Sequence, residues 1–119
     1  MSAYVILQIN ITDQENYKKY LNQVTRIVTK HHGEYIIRGG KSEVVLGNWD
    51  YQRTVVVKFP SYDTAFQWYN SEEYAPIKKI REDNSIGNCI ITCLNINQAI
   101  KRKKKGKEAS RAVISVLSQ

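Results

Sequence analysis

From Tyr4 to Ile11, apolar and polar positions alternate: Val5, Leu7 and Ile9 fall on one side, and Tyr4, Ile6, Gln8 and Asn10 on the other. A period of two with one wholly apolar side predicts a strand. The period then lengthens. Thr12-x-x-Glu15 has the form of a capping box, and Asp13 adds negative charge in the first turn. Tyr17, Tyr20, Leu21, Val24, Ile27, Val28 and His31 follow at helical spacing as one stripe. Gly33 is placed to end that helix in a left-handed conformation.

Glu34 to Arg38 reads as a second strand, interrupted by Gly39-Gly40 as a hairpin turn or sharp bend, after which Glu43 to Leu46 continues in extended form. Gly47-Asn48 signals a turn into Trp49. Arg53 to Phe59, rich in β-branched residues, is a third strand. Pro60-Ser61 stops it, and Ser61 can cap a helix running through Ala65, Phe66 and Tyr69. Asn70-Ser71 breaks that helix. A further segment, with Pro76 near its start, carries Tyr74, Ile77 and Ile80 on one face. Ile86 to Leu94 is the last strand, and Asn95-Ile96-Asn97 closes the body.

The order β-α-β-β-α-β predicts an α+β domain, an antiparallel sheet with both helices on one face. Yet several strands are apolar on both sides: Val55 and Val57 against Val56, and Cys89, Ile91 and Cys93 against Ile90 and Leu94. A monomer would leave a largely hydrophobic sheet face in water, so the pattern predicts a two-fold homodimer packed sheet against sheet.

Bulk properties refine this picture. A chain of 119 residues holds one core, not two. Its net charge of +7 is unevenly placed: residues 101–119 carry seven of the eighteen basic side chains and one of the eleven acids, a balance of +6, which leaves +1 on the preceding hundred. The expected organisation is a domain over residues 1–97 and a basic extension over 98–119. A nucleic-acid surface on the nearly neutral body is poorly supported. No apolar run approaches the ~20 residues that span a bilayer. The first residues lack the basic and apolar regions of a signal peptide, so a cytoplasmic location is expected. Cys89 and Cys93, four apart on one strand, would lie ~13 Å from each other, too far for a disulfide. They read as reduced thiols. No zinc-ligand spacing, phosphate loop or dinucleotide fingerprint is present, so neither a metal nor a cofactor is expected.

Several residues at element borders carry a more specific signature: His32-Gly33-Glu34-Tyr35-Ile36-Ile37-Arg38-Gly39-Gly40, Asn48-Trp49, Val55 to Ser61, and Trp68-Tyr69-Asn70-Ser71-x-x-Tyr74-x-x-Ile77-Lys78. Together with the Ala3-Tyr4-Val5-Ile6 strand and Tyr17-x-x-Tyr20, they resemble the domain of unknown function 1330 family over about residues 3–94. That family lies within the dimeric α/β-barrel superfamily. The resemblance implies a ferredoxin-like fold, a homodimer whose sheets form a barrel, and a cleft between sheet and helices or at the dimer seam. Superfamily relatives include cofactor-independent monooxygenases, lactone isomerases and proteins with no assigned activity, so no single reaction is implied. Pro76 departs from the pattern, and residues 95–119 have no counterpart in it.

The candidate site residues are weighed one by one. His32, at the first helix end, suits an acid/base or a cap on the helix dipole. His31, on the apolar stripe, is a packing residue. Arg38, before two glycines, suits a carboxylate or a developing enolate, or else an ion pair with Glu34 or Glu43. Arg53 and Arg81 read as ordinary ion-pair residues. Trp49, Trp68, Tyr69 and Tyr74 fill core and interface, or line a pocket near the turns. Gln8 and Tyr4, on the non-helical face of the first strand, can reach a barrel interior. No serine has the context of a nucleophile.

Three readings follow. The first is a homodimeric small-molecule-binding protein, extending to a cofactor-independent enzyme on an apolar or aromatic carbonyl compound. In it His32 and Arg38 are catalytic, and Trp49, Trp68, Tyr69, Tyr74 and Gln8 bind substrate. The second is a non-catalytic dimeric scaffold or stress-associated protein. The third, ranked last, is a nucleic-acid or acidic-surface binder acting through Lys101 to Lys107. Ala112 to Leu117 contain enough aliphatic residues to dock on the body or its mate.

Overall fold

Alternating side chains and helical stripes resolve into seven elements in a computed structural model, which describes residues 1–94. They are β1 (Ala3–Ile11), α1 (Gln14–Lys30), β2 (Glu34–Arg38), β3 (Arg53–Phe59), α2 (Tyr62–Tyr69), α3 (Ala75–Asp83) and β4 (Ser85–Cys93). The basic extension expected over residues 98–119, with its docking segment, lies outside the described residues.

The four strands form one antiparallel sheet in the order β2-β3-β1-β4. The helices lie on one face. Ala3, Val5, Leu7 and Ile9 of β1 point into a core with Tyr17, Tyr20, Val24, Ile27 and Val28 of α1, Val55, Val57 and Phe59 of β3, and Ala65, Trp68, Tyr74 and Ile77 of the second helical layer. Burying this face and these stripes together is the main favourable contribution to folding.

Local chemistry explains most boundaries, with three corrections. Helix α1 is capped by Asp13, not Thr12: the Asn16 amide donates to Asp13 Oδ1 at 3.1 Å. Thr12 is otherwise engaged, its amide donating to the Asn84 carbonyl at 2.9 Å. At the other end His32, not Gly33, takes the left-handed conformation, with φ of 65°. Gly33 is needed for space: a Cβ there would sit 2.6 Å from Val28 Cγ1 and 2.8 Å from the Phe59 ring. Glu43 to Leu46 form no strand; residues 39–52 run as an irregular loop without ladder partners. Helix α2 starts at Ser61 as expected, its hydroxyl accepting from the Thr64 amide at 3.0 Å. Pro76 sits in the first turn of α3, where its missing N–H costs nothing.

The uncovered sheet face is less apolar than the pattern suggested. Ile37, Val56, Ile6 and Ile90 stand directly opposite one another in register across β2, β3, β1 and β4. This row is flanked by Glu34, Lys58, Tyr4 and Thr92 on one side and by Thr54, Gln8 and Asn88 on the other. Ile90 is 56% exposed and Ile37 46%. The face therefore presents a single apolar stripe between polar rows. A register shift between Tyr35 and Ile37 brings Ile37 onto it and turns Arg38 back toward the helices.

Candidate functional site

Helix α3 carries the most unusual side chain in the core. Arg81 follows Tyr74 and Ile77 at spacings of seven and four, so it belongs to their face, and it is only 6% exposed. Its Nη1 donates to the Tyr74 hydroxyl and its Nη2 to the Tyr69 hydroxyl, each at 3.3 Å. The Tyr74 hydroxyl shares a 2.9 Å hydrogen bond with that of Tyr20. Burial pushes the Tyr20 and Tyr74 phenols up from their ordinary range, so both are neutral at neutral pH. The guanidinium stays charged. Among the described residues no carboxylate pairs with it; the ion pairs there join Arg26 and Lys30 to Glu73, and Lys79 to Asp83. The expected ion pair of Arg81 is thus replaced by a cage of phenols.

Aromatic packing fixes the cage. Trp68 stacks on Tyr74 at 4.4 Å between ring centres and meets Phe59 at 5.3 Å. Tyr69 lies edge-on to Trp68 at 5.8 Å and beneath the Lys78 ammonium, 4.3 Å from its ring centre. Ser71, in the break between α2 and α3, accepts from the Tyr74 amide at 3.2 Å and donates to the Trp68 carbonyl at 2.9 Å. That short turn brings Tyr69 and Tyr74 to two different nitrogens of one guanidinium.

On its outer side Arg81 lines a cleft of about 550 Å³ together with Leu7, Ile9, Tyr69, Ser85 and Cys89. Gly87 borders it, where β4 approaches β1 so closely that a Cβ would lie 1.9 Å from the Gln8 carbonyl oxygen. Cys89 is half-buried, and burial raises its thiol above the ordinary value, against the opposing charge of Arg81. A volume of this size, with a lining more polar than apolar, has room for a small molecule that carries polar groups.

The structure distributes the residues singled out in the sequence. Tyr69 and Tyr74 converge on Arg81, with Trp68 packed behind them at 3% exposure. His32 is exposed at the end of α1, and Arg38 Nη2 donates to Thr25 Oγ1 at 2.8 Å while its guanidinium lies 4.0 Å from the Tyr35 ring centre. Trp49 is 51% exposed in the loop after β2, and Gln8 stands on the open sheet face between Thr54 and Asn88. None of these four lines the cleft. From sequence Arg81 reads as an ion-pair residue, Cys89 as a reduced thiol and Tyr20 as part of the helical stripe, and none is placed in the site. For Arg81 the signal was available in its helical spacing from Tyr74 and Ile77. Among the described residues no group of three or more His, Cys, Asp or Glu could hold a metal, and no helix is long and apolar enough to cross a membrane.

Residues 2–93 match a family described as a domain of unknown function, DUF1330. The chain belongs to this family. No curated protein matches the DUF1330 chain. Among solved structures it is similar to a protein of unknown function from Rhodopseudomonas palustris, with a TM-score of 0.64 at 12% identity, covering 76% of this chain and 80% of that one. It is also similar to SnoaB, a cofactor-independent oxygenase from Streptomyces nogalater (TM-score 0.52, 7% identity, 79% and 93% covered). A DABB family protein with a ferredoxin-like fold from Mesorhizobium loti is a third (TM-score 0.51, 10% identity, 76% and 92% covered). At such identities the likeness establishes the ferredoxin-like fold of the DUF1330 chain.

Proposed function

We propose that this DUF1330 protein is a homodimeric small-molecule-binding protein, each protomer holding its ligand in the cleft formed by β1, β4 and the ends of α2 and α3. The observation that carries the binding reading is a buried cationic side chain, Arg81, in the wall of a cleft of ligand size. Leu7 and Ile9 supply a small apolar part of a mostly polar lining, while Arg81 and Tyr69 supply donors, a combination that supports binding the polar end of an aromatic carbonyl compound. This reading gives ligand contact to Tyr69 and Arg81 rather than to His32 and Arg38.

The dimer is supported by the stripe Ile37–Val56–Ile6–Ile90, which a second copy would cover with its own stripe. Exposed Val45 and Leu46, at 92% and 90%, line a further apolar hollow with Trp49 and with Thr54 of the same sheet face. They extend the surface available to that partner.

The test of the ligand site is a screen of small apolar and aromatic carbonyl compounds by two-dimensional amide NMR. Binding compounds should shift the amides of Ser85 to Cys89 and of Arg81. If every binder shifted residues elsewhere, such as those around His32 and Arg38, the cleft would not be the site.

A further inference from the structure

Arg81 is buried, permanently charged and held only by neutral phenols, a combination that is costly unless an anion completes it. We infer that the cleft takes an organic carboxylate, with Arg81 as the charge that receives it and Tyr69 as a second donor. The inference rests on the cleft being the ligand site and adds the ligand's charge.

The donor inventory supports it. A guanidinium carries five N–H groups. Two of them reach phenol oxygens, one on Tyr74 and one on Tyr69. The Tyr69 hydroxyl, having accepted from Arg81, has no acceptor for its own proton among the described residues. Tyr69 and Arg81 both line the cleft, so a carboxylate there would meet a cation and a neutral donor already fixed in relation to one another. Lys78 adds positive charge above the Tyr69 ring, 4.3 Å from its centre, and its ammonium donates to the Tyr69 carbonyl at 3.3 Å. None of the remaining polar groups brings a negative charge to the cation. The Ser85 hydroxyl donates to the Arg81 carbonyl, and the raised Cys89 thiol is neutral. Glu82 lines the same cleft, but its side chain is exposed and makes no ion pair with Arg81 among the described residues. Leu7 and Ile9 then face the apolar part of the acid.

The discriminating experiment pairs acids with their uncharged amides: benzoate with benzamide, phenylacetate with phenylacetamide, and hexanoate with hexanamide. Each is titrated into the full chain and followed by amide NMR. At least one acid is expected to bind in the cleft roughly tenfold more tightly than its amide, the scale of one charge-assisted hydrogen-bonded contact. Arg81→Gln should abolish that preference, the acid losing more affinity than the amide. Tyr69→Phe, which keeps the ring, should weaken the acid about threefold and the amide less. Acids no tighter than amides, or a preference that survives Arg81→Gln, would overturn the inference while amide binding still upheld the cleft. Absence of shifts at Ser85 to Cys89 with every compound would overturn both. If Arg81→Gln does not fold, Tyr69→Phe decides: an unchanged acid affinity overturns the inference.

Discussion

The hydroxyls of Tyr20 and Tyr74 meet at 2.9 Å in the core, joining helix α1 to the turn that starts α3 across 54 residues of sequence. Tyr74 also accepts from Arg81, so one phenol ties a second neutral phenol to a buried cation. Tyr74→Phe removes that oxygen and leaves both partners short of a hydrogen bond. The expected loss is about 1–3 kcal/mol, measured by urea unfolding. The double variant Tyr20→Phe/Tyr74→Phe should lose less than the two single losses combined, because the first removal already breaks the shared bond. Strict additivity would show that the two hydroxyls are not coupled.

Alkaline stability reports on the same pair. An unfolded tyrosine ionises near pH 10, whereas burial keeps Tyr20 and Tyr74 protonated above that in the folded protein. Above pH 10 the folded state then binds more protons than the unfolded one. Stability contributed by these groups is fully present below pH ~10 and is lost as pH rises toward the folded values, by about 1.4 kcal/mol per pH unit for each proton. Tyr74→Phe should make the alkaline limb of a stability–pH curve shallower. A limb of unchanged slope would mean that Tyr74 ionises freely in the folded state.

The apolar stripe is tested by charge. Ile6 sits at its centre between Val56 and Ile90. Ile6→Asp or Ile90→Asp should convert a sedimenting dimer to monomer at micromolar concentration, because an unpaired carboxylate cannot be buried in a dry interface. Thr92→Asp, in the polar flanking row, should weaken the dimer less. A wild-type chain that sediments as a monomer would sink the sheet-to-sheet arrangement.

Two backbone positions make opposite predictions. Gly87→Ala drives a Cβ against the Gln8 carbonyl, so it should cost about 2–4 kcal/mol by separating β1 from β4. His32→Gly relieves a left-handed residue with a side chain and should raise stability by up to about 1 kcal/mol. Denaturation midpoints check both. A destabilised His32→Gly would mean that the imidazole itself holds the end of α1.

Much of the fold was legible in the sequence because its determinants are local. The alternation from Tyr4 to Ile11, the stripe from Tyr17 to Val28, the Ser61 cap and the break at Asn70-Ser71 each act within a few residues, and each appears where it was expected. Two of the three errors were local competitions with near-equal contenders, Asp13 against Thr12 for the cap and His32 against Gly33 for the left-handed turn, and the third was a strand expected at Glu43 to Leu46 that finds no ladder partner. In the second case tertiary packing decided, since the Phe59 ring and Val28 leave no room for a side chain at residue 33. Tyr69 and Tyr74 were visible as aromatic residues near a turn. Their common partner, Arg81, lies on the same helical face as Tyr74 and Ile77 but reads from sequence as an ion-pair residue.

The sequence by itself determined the element order, the antiparallel sheet and the membership of Tyr69 and Tyr74 in a dense aromatic group, all from spacing and from residue chemistry acting nearby. The tertiary structure decided that Arg81 lies buried with phenols in place of a carboxylate, and that four side chains from four strands line up as one stripe on the uncovered sheet face. The first depends on how α3 packs against the turn after α2, the second on sheet register across tens of positions; spacing places a residue on a face, and packing decides what that face meets.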